Sequence, residues 1–138
     1  MKVTSAISHL DKDGKCFACG QLNPIGLRLV FRPEGEKSRS EFTPRDVHVS
    51  WTGLFHGGLM TTILDEAIGW VLYYQGIRAI TAKMEVRFHR PVMVGQKLAI
   101  TGEIVKATRK LVNARAIAEL GSGELAAELQ ATMFVVGE

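Results

Sequence analysis

From residue 58 to about 75 the apolar side chains Leu59, Met60, Ile63, Leu64, Ala67, Ile68, Val71 and Leu72 recur at helical spacing and cover most of the circumference. A helix that is apolar nearly all round cannot rest on a surface, so the remainder of the chain has to be built around it. Gly76 supplies the stop. Beyond Gly76 the chain has a different period: residues 78–89, 96–107, 111–120 and 125–136 alternate as strands do, broken by Pro91 and Gly95, by Thr108-Arg109-Lys110 and by Gly121-Ser122-Gly123. Before the helix, 26–32 and 38–42 read as a hairpin around Pro33-Glu34-Gly35-Glu36, and 43–55, with Pro44 and Gly53, reads as a loop. Short connections predict antiparallel neighbours. The expected class is α+β, with an antiparallel sheet of about six strands covering one long central helix.

The 138 residues suffice for one domain, taken as residues 1–138, with 46% hydrophobic and 22% charged residues, as in ordinary globular chains. The first eleven residues lack the apolar stretch of a secretory signal, and no run approaches the ~20 apolar residues of a membrane span; a cytoplasmic protein with no membrane partner is expected. Residues 1–15 are polar, with one helical turn around Ser5 to Leu10. A net charge of +3 from dispersed basic residues argues against nucleic acid and suits an anionic small molecule. Cys16-Phe17-Ala18-Cys19-Gly20 has the spacing of zinc knuckles and redox sites. A structural zinc normally takes four ligands, no second Cys pair exists, and His9 or His48 would have to be recruited from afar. The turn residues Gly20 and Asn23-Pro24 do not suit a thioredoxin-like motif. Two reduced structural thiols and no metal are expected.

Asp65 and Glu66 sit inside the most apolar helix, and a carboxylate removed from water needs a reason. Gly57-Gly58 at the start of that helix leaves backbone N–H groups open to a ligand oxygen. Together they suggest acyl chemistry; the plainer reading is a glycine turn before a core helix whose acids reach solvent at its edge. Gly58, Thr62, Asp65 and Gly69 form one stripe, suited either to a groove floor or to close backbone packing. Gly58 and Asp65 are separated by seven residues, about 10 Å along a helix. A base and an oxyanion donor must both lie within about 3 Å of the reacting group. If both act, two helices must run antiparallel across a two-fold axis, which predicts a symmetric dimer with two shared sites.

His56-Gly57-Gly58, the acid nine residues after His56, and Ile80-Thr81-Ala82-Lys83-Met84-Glu85-Val86-Arg87-Phe88-His89-Arg90-Pro91-Val92 resemble the hotdog-fold acyl-CoA thioesterases, of the phenylacetic-acid-degradation and thioesterase-superfamily-member types. The leader Cys16-Phe17-Ala18-Cys19-Gly20 with Asn23-Pro24-Ile25-Gly26-Leu27 is similar to that of many such proteins, and the resemblance runs from about Cys16 to Val136. It implies Asp65 as general base or nucleophile, the Gly57 N–H with Gly58 beside it as oxyanion donor from the partner subunit, and His56 as the residue that shapes or polarises the turn. It makes Thr81 a positioner of the water or the carboxylate, although Thr is also an ordinary strand residue. Glu66 points about 100° away from Asp65 and is assigned as its partner or as structural. Arg90 and Lys110 are candidate contacts for the CoA phosphates, and Trp51 and Phe55 candidate acyl-pocket residues. The implied partners are acyl-CoA and further copies of the chain, as a homodimer or dimer of dimers, with no metal or redox cofactor. The rival readings are a hotdog hydratase on acyl thioesters and a non-catalytic acyl-CoA-binding module.

Overall fold

A computed structural model describes residues 13–136, so the helical turn expected around Ser5 to Leu10 lies outside the described residues, as does His9. The strands are β1 (Arg32–Glu34), β2 (Lys37–Phe42), β3 (Ala79–Phe88), β4 (Leu98–Ala107), β5 (Leu111–Leu120) and β6 (Leu125–Val135), and the long helix is α1 (Gly57–Tyr74). They form the expected α+β arrangement of one six-stranded sheet around one helix, in the order β1-β2-β4-β5-β6-β3 with every pairing antiparallel.

Two expectations need correction and a third gains detail. The strand read at 26–32 begins only at Arg32 and lasts three residues. Leu27 and Leu29 instead donate their N–H groups to the carbonyls of Phe17 and Ala18, both at 2.9 Å, so the alternating stretch before β1 is spent on holding the leader. The loop at 43–55 contains a 3-10 turn, Asp46–His48, and closes through a bridge between Val49 and Phe55. Finally, β3 and β4 are consecutive but do not pair: β3 crosses the sheet to β6. The connection between them is tied to the pre-helix loop by the Phe55 N–H to Val92 carbonyl bond, 2.8 Å, and by a Leu54–Met93 bridge. A tether across the helix end carries the chain past two strand widths, which a short hairpin could not do.

Both ends of α1 have local causes. His56 caps the start, its Nδ1 accepting the Gly58 N–H at 2.9 Å. Gly76, at φ +73°, ends it: Ile77 N–H reaches Leu72 O and Gly76 N–H reaches Tyr73 O, the paired closure that favours glycine in a left-handed conformation. Between them Met60, Ile63, Leu64, Ala67, Ile68, Val71 and Leu72 are buried, each large aliphatic one contributing about 1.5–3 kcal/mol.

The sheet receives this helix on small residues. Ala114, Ala116 and Ala118 of β5 and Ala127 and Ala131 of β6 are buried beneath it. Contact is closest at the Ala67 carbonyl, where Ser38 Oγ donates at 2.6 Å and where a Cβ on Gly102 would lie 2.4 Å from the oxygen. Ser38 and Ser40 face inward on β2, fully buried, because each satisfies its hydroxyl on a backbone carbonyl, Ser40 on Val30 at 2.7 Å.

Gly102→Ala should therefore lower unfolding free energy by about 3 kcal/mol, since the methyl meets the Ala67 carbonyl backbone and the Ser38 hydroxyl bonded to it. Ser38→Ala, which loses one bond and no volume that matters, should cost about 1 kcal/mol. Urea titrations of both variants check the ranking, and equal costs would contradict a backbone-limited approach.

Candidate active site

Asp65 projects from the middle of α1, largely buried, and Thr81 Oγ1 at the start of β3 donates to its Oδ1 at 2.8 Å. Burial pushes the carboxyl above the ordinary aspartate range; the Thr81 bond works in the opposite direction, and the negative charge of neighbouring Glu66 adds to the rise. The carboxylate is thus held by one hydroxyl and more basic than a surface aspartate. Thr81 and Asp65, sixteen residues apart, are brought into direct contact.

The other end of the candidate machinery lies two turns back along α1. The Gly58 N–H is taken by His56 Nδ1, so that ring nitrogen carries no proton in this arrangement. Gly57 occupies the first helical position, where no intrahelical acceptor exists, and among the described residues none takes its N–H. His56 is itself held by its N–H to the His48 carbonyl, 2.9 Å. His48 is buried against Phe42, and its Nδ1 accepts the Arg45 N–H at 3.0 Å. Burial, then the charge of Arg45, lowers its basicity.

A cleft of about 390 Å³ opens beside Gly57. Trp51 and Phe55 line it from the pre-helix loop, Met60 from α1, and Phe88, His89 and Arg90 from the end of β3. Of the residues singled out in the sequence, Gly57, Trp51, Phe55 and Arg90 are brought together here. Trp51 is 78% exposed, whereas Phe55 is buried against Phe42 and forms the cleft floor. Arg90 is paired with Glu124 at 2.8 Å and His89 with Glu128 at 2.7 Å, so an anionic ligand would have to compete with two glutamates. Neither glutamate had a sequence signal, because the packing of β6 and the turn before it against the end of β3 delivers them. Met60 and Phe88 were read only as helix and strand residues.

Asp65, Glu66 and Lys110 are not among the residues of this cleft. Lys110 sits in the turn before β5, its carbonyl accepting the Val135 N–H. Glu66 faces the leader: Cys16 Sγ lies 3.7 and 3.6 Å from its two oxygens. Cys19 joins them, its thiol pushed well above the ordinary range by burial first and by Glu66 next. Nothing in sequence spacing signals that cluster.

The sequence model described as Thioesterase superfamily matches residues 52–127. No curated protein sequence matches the chain. Among solved structures, a hypothetical thioesterase protein with coenzyme A from Streptococcus pneumoniae is similar at TM-score 0.75 and 20% identity, covering 80% of this chain and 87% of that one. A Streptococcus mutans protein bound to acetyl CoA matches at 0.75 and 22%, covering 80% and 90%. The Escherichia coli PaaI protein from the phenylacetic acid degradation operon matches at 0.75 and 16%, covering 80% and 81%. At these identities the structural likeness establishes the shared hotdog fold.

The electrostatics of Asp65 can be read without any substrate. A carbon-detected titration should place its carboxyl above the ordinary aspartate value, and Thr81→Val should raise it further, because the bond that favours the charged form is gone. The folded state then binds this proton more tightly than the unfolded one, so stability falls as pH rises through the raised pKa. Asp65→Asn should accordingly melt above the wild type at neutral pH and lose that advantage in acid; an unperturbed carboxyl in the titration would defeat both expectations.

Proposed function

The chain belongs to the thioesterase superfamily and is a thioester hydrolase of that kind, and we propose that it splits acyl-CoA into a free acid and CoA with Asp65 as the acting carboxylate. The observation that carries this reading is the pairing, on one helix, of a largely buried carboxylate and an N–H at the Gly57 end that no group among the described residues takes. CoA-bound and acetyl-CoA-bound proteins of the same fold support the choice of carrier.

As general base, Asp65 takes a proton from water, whose oxygen attacks the thioester carbon. The carbonyl oxygen gains charge, which the Gly57 N–H and the positive end of α1 stabilise. Collapse of the tetrahedral intermediate breaks the C–S bond and releases the CoA thiolate, which takes up a proton. As nucleophile, Asp65 would first form an anhydride that water then opens; labelled water appearing in Asp65 after a single turnover distinguishes that route. His56 acts through the turn, its Nδ1 occupying the Gly58 N–H so that the Gly57 N–H stays the available donor. Thr81 orients the carboxylate. Trp51 and Phe55 line the acyl end of the cleft. Arg90 and Lys110 are proposed phosphate contacts, with Arg90 leaving Glu124 to make its own. No metal or redox group takes part in the reaction.

Gly57 and Asp65 are eight residues apart on a regular helix, about 12 Å, so they serve one thioester only if they come from different subunits. β3 ends the sheet and, among the described residues, its outer edge pairs with no strand, while Ala82, Lys83, Met84 and Glu85 along it are exposed. Antiparallel pairing of two such edges would continue the sheet and set the two α1 helices antiparallel. We take the homodimer, alone or doubled, as the active species.

Loss of thioester absorbance across an acyl-CoA panel tests hydrolysis without counting the chain's own thiols at Cys16 and Cys19. Asp65→Asn should reduce kcat by about 10²–10⁴-fold. Gly57→Pro removes the N–H and adds ring carbons, of which the Cβ meets Phe88 at an ordinary 3.5 Å; at a helix position where proline is well tolerated, it should reduce kcat by about 10²–10³-fold with the fold intact. The two dead variants should rescue each other: refolded together at equal amounts, half the dimers are mixed, each has one intact site, and about a quarter of wild-type activity returns. No recovery on mixing would place both groups in one subunit and refute the shared site. Binding without turnover would leave a carrier-binding module instead.

A further inference from the structure

We propose that Cys16, Cys19 and Glu66 form a zinc site that ties the leader to α1, with a fourth position open to water. The ligand atoms of these three residues all lie within 4.8 Å of one another. Zinc bond lengths of about 2.3 Å to sulfur and about 2.1 Å to a carboxylate oxygen, at the tetrahedral angle, put sulfur and oxygen about 3.6 Å apart. Cys16 Sγ stands 3.6 and 3.7 Å from the two Glu66 oxygens, the edge length of that tetrahedron.

The loop that presents the two sulfurs is built by its backbone. Gly20 N–H closes on the Cys16 carbonyl and Leu22 N–H on the Gly14 carbonyl, both at 2.8 Å. A Cβ on Gly20 would fall 2.3 Å from Gly14 O and 2.5 Å from Cys16 N, so only glycine permits the turn. Ala18, between the sulfurs, is buried in the core, and Leu27 and Leu29 clamp Phe17 and Ala18 from the other side. Glu66 stands on the central helix. The third ligand is thus fifty residues along the chain from Cys16, which is why the Cys-x-x-Cys spacing by itself reads as incomplete.

The donor set selects the metal. Two thiolates favour zinc over calcium or magnesium, a carboxylate completes a borderline set, and an iron–sulfur cluster would require four thiolates. Binding replaces two S–H bonds by two Zn–S bonds and releases two protons to solvent. Cys16 is exposed, so the ion can enter from water. The alternative for the same atoms is a pair of S–H···O hydrogen bonds with no metal. The proposal stands apart from the hydrolase reading, since its readout is metal binding.

The full chain, purified reduced and stripped of metal, is titrated with cobalt(II) and then zinc. One equivalent of cobalt with a thiolate charge-transfer band, displaced by zinc, is expected, and Cys19→Ser should abolish the band. Glu66→Gln should weaken zinc binding by more than about tenfold. In the wild type, zinc should protect both cysteines from alkylation, a measurement that stands even where a variant fails to fold. Absence of the band, undiminished affinity in Glu66→Gln, or alkylation at the same rate with and without zinc would each overturn the site.

Discussion

The carbonyl of Ala67 is where helix and sheet come closest, with Ser38 Oγ bonded to it and Gly102 pressed against it so closely that no Cβ fits. The rest of the fold depends on that approach. A helix apolar over most of its surface must be covered on several sides, and one curved sheet can do so only if its strands come near enough for side chains to interlock. The alanines of β5 and β6, the glycine of β4 and the inward serines of β2 are the means. Had these been large, the sheet would stand off the helix and leave voids that Ile63, Leu64 and Ile68 could not fill.

Close covering also creates the candidate chemistry. A helix wrapped on most sides still has one flank where the sheet ends, beyond β3, and Asp65 emerges there. It is near enough to the core to be desolvated and near enough to the edge to be reached. A fully covered acid would be protonated or unfolding; a fully exposed one would be an ordinary aspartate. Thr81 holds it in between. The same helix offers at its start an N–H that its cap leaves uncommitted, because His56 uses its ring on Gly58 and not on Gly57. Both groups are by-products of how the helix begins and where the sheet stops.

Glu66 turns away from Asp65 and meets the leader. Two adjacent acids on one helix thus serve different neighbourhoods. Assigning Glu66 as a partner of Asp65 rests on adjacency in the chain; the helix separates them by about 100°, and the packing of the leader decides what lies on the second side. The thiols likewise look under-supplied with ligands until a helix places a carboxylate beside them.

The long helix, the four later strands and their breaks at Pro91, Gly95 and Gly121 were legible from residues alone, because period and turn chemistry are local properties that survive burial. So was the stop at Gly76, whose left-handed backbone few other residues accept. Alternation misled at Leu27 and Leu29, which bond to the leader and not to a strand, because a repeat of two describes an extended chain and does not say what pairs with it. The sequence by itself determined which segments are helix and strand and that an acid must sit inside the apolar helix. Only the tertiary structure decided that β3 lies beyond β6 and, among the described residues, ends the sheet, that Thr81 meets Asp65, and that Glu66 meets Cys16. Those are contacts between residues far apart in the chain, set by how layers close over one another, and no local pattern encodes that closure.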